Sequence, residues 1–174
     1  MEQKMSETYL VTGGARSGKS RHALSLGDKA EKPFYIATGW AGDAEMEDRI
    51  AKHKAERGPH WSTIETKTEI ASAIAEAEQN GADFILVDCL TLWTSNMLFE
   101  KKDELEAETA KLAELIPILK TKIAFVTNEV GSGIVPGDSL SREFRDAAGL
   151  VNQKIAAAVS NVILAVSGIP VKIK

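Results

Sequence analysis

The sequence predicts an α/β fold of three layers, a mostly parallel sheet between helices, with an antiparallel hairpin at its C-terminal end. Three observations predict it. Short apolar, β-branched runs bounded by Gly, Pro, Asn or Asp fall at residues 9–11, 34–37, 84–87, 123–126, 162–166 and 171–173. Helical patterns lie between them at 19–27, 44–56, 69–79, 104–119 and 141–159, and such alternation calls for crossover helices on both faces of a parallel sheet. Only Ser167-Gly168-Ile169-Pro170 separates the last two runs, too little chain for a crossover, so these two pair antiparallel.

In chain order, the first run leads into Gly13-Gly14-Ala15-Arg16-Ser17-Gly18-Lys19-Ser20, a complete phosphate-binding loop. Its end glycines let backbone N–H groups face phosphates, Lys19 reaches the β and γ oxygens, and Ser20 can ligate Mg2+. The helix that begins there adds its positive end. Strand, loop and helix together predict a P-loop NTPase of the RecA-like, three-layer kind. Which bond of the triphosphate breaks is not specified by the loop.

Ligands of open α/β sheets bind at the carboxyl ends of the strands, which selects the remaining candidates. The second run ends at Ala37-Thr38-Gly39. On the helical pattern that follows, Arg49, His53 and Arg57 recur every four residues and share a face, which composition alone reads as a solvated basic surface. His60, beside Pro59 and Trp61, reads the same way, and a His53/His60 metal pair lacks the spacing of ligands on one helix. The third run ends at Asp88, placed either to hold Mg2+ with Ser20, directly or through water, or to cap the next helix. Residues 100–103 read as an exposed loop. After the fourth run, Asn128 and Glu129 of Thr127-Asn128-Glu129-Val130-Gly131 face the same cleft or serve a turn. In the last helix Phe144, Ala148, Val151, Ile155 and Val159 form one buried stripe.

With 174 residues, 44% of them hydrophobic, the chain suits one domain over residues 8–174 behind a frayed polar tail, 1–7. A net charge of -4 argues against DNA or RNA as partner. Cys89 is the only cysteine, so no intrachain disulfide forms; its apolar neighbours predict a buried thiol, and a reducing cytoplasm is the expected location. No stretch approaches the ~20 apolar residues of a membrane span. The guanine-reading Asn-Lys-x-Asp motif is absent, so generic motifs do not identify the base.

Several blocks together closely resemble the bifunctional adenosylcobinamide kinase / adenosylcobinamide-phosphate guanylyltransferase family. They are the phosphate loop with flanking Thr12 and Arg21, Tyr35-Ile36-Ala37-Thr38, Glu45-Met46 with Arg49-Ile50 and His53, and Thr127-Asn128-Glu129-Val130-Gly131 with Gly133-Ile134-Val135-Pro136. Arg145-Asp146 with Gly149 and Asn152-Gln153, and Val166-Ser167-Gly168 with Val171-Lys172, complete the set. The resemblance implies phosphorylation of the aminopropanol hydroxyl of adenosylcobinamide by ATP or GTP. It then implies transfer of GMP from GTP onto adenosylcobinamide phosphate through a GMP-histidine intermediate, which by motif position is His53. It also implies a nucleotide site of the phosphate loop, Ala37, Thr38, Gly39, Lys54, Ala55, Glu56, Arg57, Glu65 and Asp88, with Mg2+ and a homotrimer. Lys19, Arg49 and Arg57 would act beside His53, and Glu129 or Asp88 would orient the acceptor. Relatives often carry Glu at the position of Asp88, and some carry a second histidine at that of Lys52. Two other readings stay open: a guanylyltransferase without the kinase step, and a GTP-binding assembly protein without turnover, in which Trp40, Trp93 and Phe99 would form an interface.

Overall fold

The computed structural model describes residues 6–39 and 57–174. Residues 1–5 of the expected tail, Trp40, and the helical pattern 44–56 with Arg49, His53, Lys54, Ala55 and Glu56 lie outside the described residues. Within them the chain runs β1 (Thr8–Gly13), α1 (Lys19–Ser25), β2 (Pro33–Ala37), β3 (Ser62–Glu65), α2 (Ile70–Gln79), β4 (Phe84–Asp88) and α3 (Leu90–Glu100). It continues through α4 (Leu105–Leu115), β5 (Lys122–Val126), α5 (Ser139–Ala158), β6 (Asn161–Val166) and β7 (Ile169–Lys172).

The strands form one sheet in the order β3-β2-β4-β5-β1-β6-β7, parallel except for the β6–β7 hairpin. Alternate residues point to opposite faces of a strand. Leu10, Ile36, Ile85, Val87, Ile123 and Phe125 therefore pack on one side with Ile74 of α2, Trp93 of α3, Leu112 of α4 and Ile155 of α5. Val11, Tyr35, Leu86, Ala124 and Val126 pack on the other side with Ala23 of α1. The expected mostly parallel α/β sheet with a terminal antiparallel hairpin is thus the observed architecture.

Two elements escape the sequence pattern. β3 is a polar edge strand, Ser62-Thr63-Ile64-Glu65, in which only Ile64 is partly buried, so no apolar run announces it. α3 buries polar as well as apolar residues, Leu90, Thr91, Trp93, Thr94 and Met97, and an element buried on several sides carries no single apolar stripe. The last helical turn expected up to residue 119 becomes a separate 3-10 turn, Ile116–Ile118, because Pro117 has no N–H to continue the α-helix.

The hairpin closes in two residues rather than four. Val166 pairs with Ile169, and Ser167 and Gly168 take φ of 51° and 83°, the left-handed pair of a tight hairpin turn. Beyond β7, the Lys174 Nζ donates to the carbonyls of Ala156, Ala157 and Val159 at 3.0, 3.0 and 2.7 Å, so a cation caps the carbonyl end of α5. Lys174→Met keeps the stem and removes that cap. It should cost about 1 kcal/mol and lower the thermal unfolding midpoint by roughly 2–4 °C, with Lys174→Arg closer to wild type.

Candidate nucleotide site

The phosphate loop leaves β1 at Gly13 and enters α1 at Lys19. A Cβ on Gly13 would stand 2.5 Å from Ser17 Oγ and 2.6 Å from the Ala165 carbonyl oxygen, so only glycine fits between the loop and β6. Gly18 takes φ 90° and Arg16 φ 54°, conformations that turn successive N–H groups toward one centre. The far side of the loop is pinned by the hairpin turn: the Gly168 N–H donates to the Ser17 carbonyl at 2.9 Å. Gly14, Ala15 and Arg16 are exposed at the loop tip, and the Lys19 Nζ donates back to the Gly14 carbonyl at 3.1 Å. This arrangement presents backbone donors and an ammonium to an anion.

The register aligns the other candidates. Glu65 pairs with Ala37, Ala37 with Asp88, Asp88 with Val126 and Val126 with Val11, forming one row across the carboxyl edge. By strand alternation the row faces the α1 side, as the phosphate loop's helix does. Asp88 does not cap α3; that cap is Cys89, whose Sγ accepts from the Leu92 N–H. The Asp88 carboxylate accepts instead from the Tyr35 hydroxyl at 3.0 Å. Burial, with Asp88 next, pushes the Tyr35 phenol pKa far up, so it stays a neutral donor.

Arg57 corrects a second expectation. It is not on a solvated basic face but buried, with its guanidinium carbon 3.4 Å from the centre of the Tyr35 ring. A weakly hydrated planar cation stacks on a ring face more readily than a compact, strongly hydrated ammonium. Burial draws its pKa down, and Tyr35 and Asp88 oppose that shift. Trp61 meets Tyr35 and Phe84 edge-on, with ring centres 6.5 and 5.9 Å away, and so fastens the same stretch of chain to β2 and β4.

Thr38 serves the strand ends. Its fully buried hydroxyl donates to the Cys89 carbonyl and accepts from the Cys89 N–H, both at 2.8 Å, leaving Ala37 and Gly39 as the accessible part of that segment. Cys89 itself is buried and its thiol is pushed up to about 12 by burial and then by Asp88, which makes it an inert neighbour. His60 is exposed.

On the other flank, the Glu129 N–H donates to the Gly13 carbonyl at 3.1 Å, and its exposed carboxylate accepts from the Gly131 N–H at 2.9 Å. Behind it, the Thr127 hydroxyl donates to Asn152 Oδ1 at 2.7 Å, and the Asn128 N–H donates to the Thr91 hydroxyl at 2.7 Å. Glu129 thus stands beside the first glycine of the phosphate loop. Trp93 is a core residue whose indole N–H donates to the Thr68 carbonyl at 2.7 Å, while Phe99 is exposed.

The donors fit magnesium rather than a caged metal. Ser20 and Asp88 offer hard oxygen ligands, and among the described residues no group of three or more His, Cys, Asp and Glu is placed to hold an ion. Mg2+ keeps several waters and takes one or two carboxylates plus phosphate oxygens, which suits that sparse set.

Sequence reasoning missed Tyr35 as a site residue. Its signal was available: a tyrosine inside a core strand needs a partner for its hydroxyl, and Asp88 is the acidic end of an adjacent run. Thr91 gave none, because α3 itself was not visible.

The model of the family described as cobinamide kinase / cobinamide phosphate guanyltransferase matches residues 9–173. The chain belongs to this family. It is 46% identical to a bifunctional adenosylcobalamin biosynthesis protein of Salmonella typhimurium, over 95% of this chain and 98% of that one. A bifunctional adenosylcobalamin biosynthesis protein of Pseudomonas aeruginosa is 42% identical, over 95% and 96%. Among solved structures, an ATPase from the type III secretion system of pathogenic bacteria superposes with a TM-score of 0.59 at 12% identity, covering 97% of this chain and 57% of that one. A KaiC-like protein of Pyrococcus horikoshii OT3 gives 0.52 at 13%, covering 91% and 70%. These likenesses bear on the fold, which is that of the P-loop NTPases.

Gly13→Ala tests the loop. The new methyl must displace Ser17 or the β6 backbone, and if the overpacking cost of about 1–3 kcal/mol falls on the binding-competent loop, nucleotide binding should weaken roughly 5- to 150-fold, measured by fluorescence titration with a labelled guanine nucleotide.

Proposed function

We infer that the protein carries out two successive reactions at one nucleotide site. It phosphorylates the aminopropanol hydroxyl of adenosylcobinamide with ATP or GTP. It then transfers GMP from GTP to adenosylcobinamide phosphate, giving adenosyl-GDP-cobinamide and pyrophosphate. The observation that carries this is the family match over residues 9–173, with 42% to 46% identity to the bifunctional relatives.

In the first step the loop N–H groups and Lys19 hold the β and γ phosphates while Glu129, beside Gly13, orients the acceptor hydroxyl. The hydroxyl oxygen bonds to the γ-phosphorus and gives up its proton to water, the bond to the β-γ bridging oxygen breaks, and the nucleoside diphosphate leaves. In the second, neutral His53 attacks the α-phosphorus of GTP, the bond to the bridging oxygen breaks, and pyrophosphate leaves. A phosphate oxygen of adenosylcobinamide phosphate then displaces the histidine nitrogen and takes the GMP. Arg49 and Arg57 offset charge growing on the α-phosphate, and Lys19 that on pyrophosphate. Ala37, Gly39, Lys54, Ala55, Glu56 and Glu65 line the rest of the nucleotide, with Thr38 contributing through the backbone it fixes. Ser20, and Asp88 directly or through water, would hold Mg2+, which would supply further charge neutralisation on the phosphate oxygens.

The protein works in the cytoplasm, a reading supported by its single buried thiol; among the described residues no helix is long and apolar enough to cross a membrane. It assembles as a homotrimer by resemblance to the family, and light scattering should report a particle of about three chain masses.

Incubation with α-labelled GTP and Mg2+ should leave an acid-labile, base-stable label on the wild type and none on His53→Ala. Label retained by His53→Ala refutes the histidine mechanism. Supplying unphosphorylated cobinamide tests the kinase step: its consumption separates the bifunctional enzyme from a guanylyltransferase alone, and no turnover of either acceptor would favour a binding protein.

A further inference from the structure

Tyr35 is an interior residue of β2 with 5% of its surface exposed. It pairs in register with Leu86, which makes Asp88 its diagonal neighbour on the same face, within reach of a long side chain. Its hydroxyl donates to Asp88 Oδ2 at 3.0 Å, its ring carries the Arg57 guanidinium at 3.4 Å, and Trp61 closes on it edge-on. One side chain therefore touches both the carboxylate and the buried cation of the candidate site.

We propose that Tyr35 is a positioning residue for the nucleotide site, fixing the Asp88 carboxylate through its hydroxyl and seating Arg57 on its ring. A carboxylate that is to meet a metal-bound phosphate group gains from having its rotamer set beforehand, because the ordering cost is then met by folding rather than by binding. A lysine or arginine could hold Asp88 equally well, but its charge would compete with a bound cation. A phenol holds it as a neutral donor and adds no further cation to the Arg57 charge that already acts on Asp88. Ring packing keeps the hydroxyl in place, since Trp61 and Arg57 restrict the side chain on two sides. The inference rests on the reading of Asp88 as the metal-side carboxylate.

The test uses Mn2+ titrated into the protein saturated with GDP, followed by the loss of the free Mn2+ EPR signal. Tyr35→Phe keeps the ring beneath Arg57 and removes one oxygen. It should weaken Mn2+ binding about 10-fold, as removal of an outer partner of a metal ligand does, and leave metal-free GDP affinity within about twofold. In an Asp88→Asn background the same change should add less than about twofold, because the residue acts through Asp88. A Tyr35→Phe titration that superimposes on wild type, an undiminished 10-fold effect in the Asp88→Asn background, or a parallel loss of metal-free GDP binding would each overturn the proposal. Asp88→Asn alone separates the two layers: unchanged Mn2+ affinity there refutes the underlying reading of Asp88. A loss there beside an unaffected Tyr35→Phe refutes only the role of Tyr35.

Discussion

The contact between Gly18 and Gly168 is the constraint on which the site depends. A Cβ on Gly18 would lie 3.0 Å from the Gly168 Cα, and the Gly168 N–H donates to the neighbouring Ser17 carbonyl at 2.9 Å. Gly168 also supplies the positive φ that lets the chain return as β7 after a two-residue turn. The antiparallel hairpin added to a parallel sheet is thus part of the scaffold of the phosphate loop. From below, the loop is fixed by Gly13 against β6; from the side, by the turn that follows β6. The loop's shape is set by backbone packing at both ends, before any ligand contributes.

With the loop so fixed, strand register places the other groups. Moving outward from β1, the row passes Val126 and reaches Asp88, Ala37 and Glu65, while the loop after β5 places Glu129 beside Gly13. Polar bonds hold the strand ends at constant height: Thr38 ties β2 to the residue after β4, and Thr91, Thr127 and Asn152 tie the end of β5 to α3 and α5. Buried hydroxyls at these positions find protein partners, so each strand end is locked rather than frayed. Catalytic groups supported from regular elements in this way are held more closely than groups on free loops.

The sequence made the parallel core legible because its strands are buried on both faces and read as continuous apolar runs; the loop was legible because each of its residue types has a separate physical task. What it concealed is equally physical. β3 carries its polar side chains at an edge, where no burial is demanded, and α3 is enclosed on several sides, so neither shows the period of its element. Asp88 could be recognised as a strand-end acid, but choosing between metal ligand and helix cap needed geometry, which assigns the cap to Cys89. Arg57 looked like surface because a charged residue in a basic stretch usually is; only the register of Tyr35 beneath it makes burial reasonable.

These constraints bear on how one loop can serve two bond cleavages. A loop pinned by glycine contacts at both ends cannot shift along a triphosphate to present first the γ and then the α phosphorus. In the proposed mechanism the choice therefore belongs to the attacking group. There an acceptor hydroxyl beside Glu129, next to the first glycine of the loop, would meet the γ end. For the α-phosphorus the proposed attacking group is the imidazole of His53, which lies outside the described residues. Since only groups aligned with the scissile bond accelerate its cleavage, the two approaches can share the same phosphate contacts without competing for them. Tyr35, as proposed above, bears on both: it touches the Asp88 carboxylate and the Arg57 cation, and it adds no charge of its own.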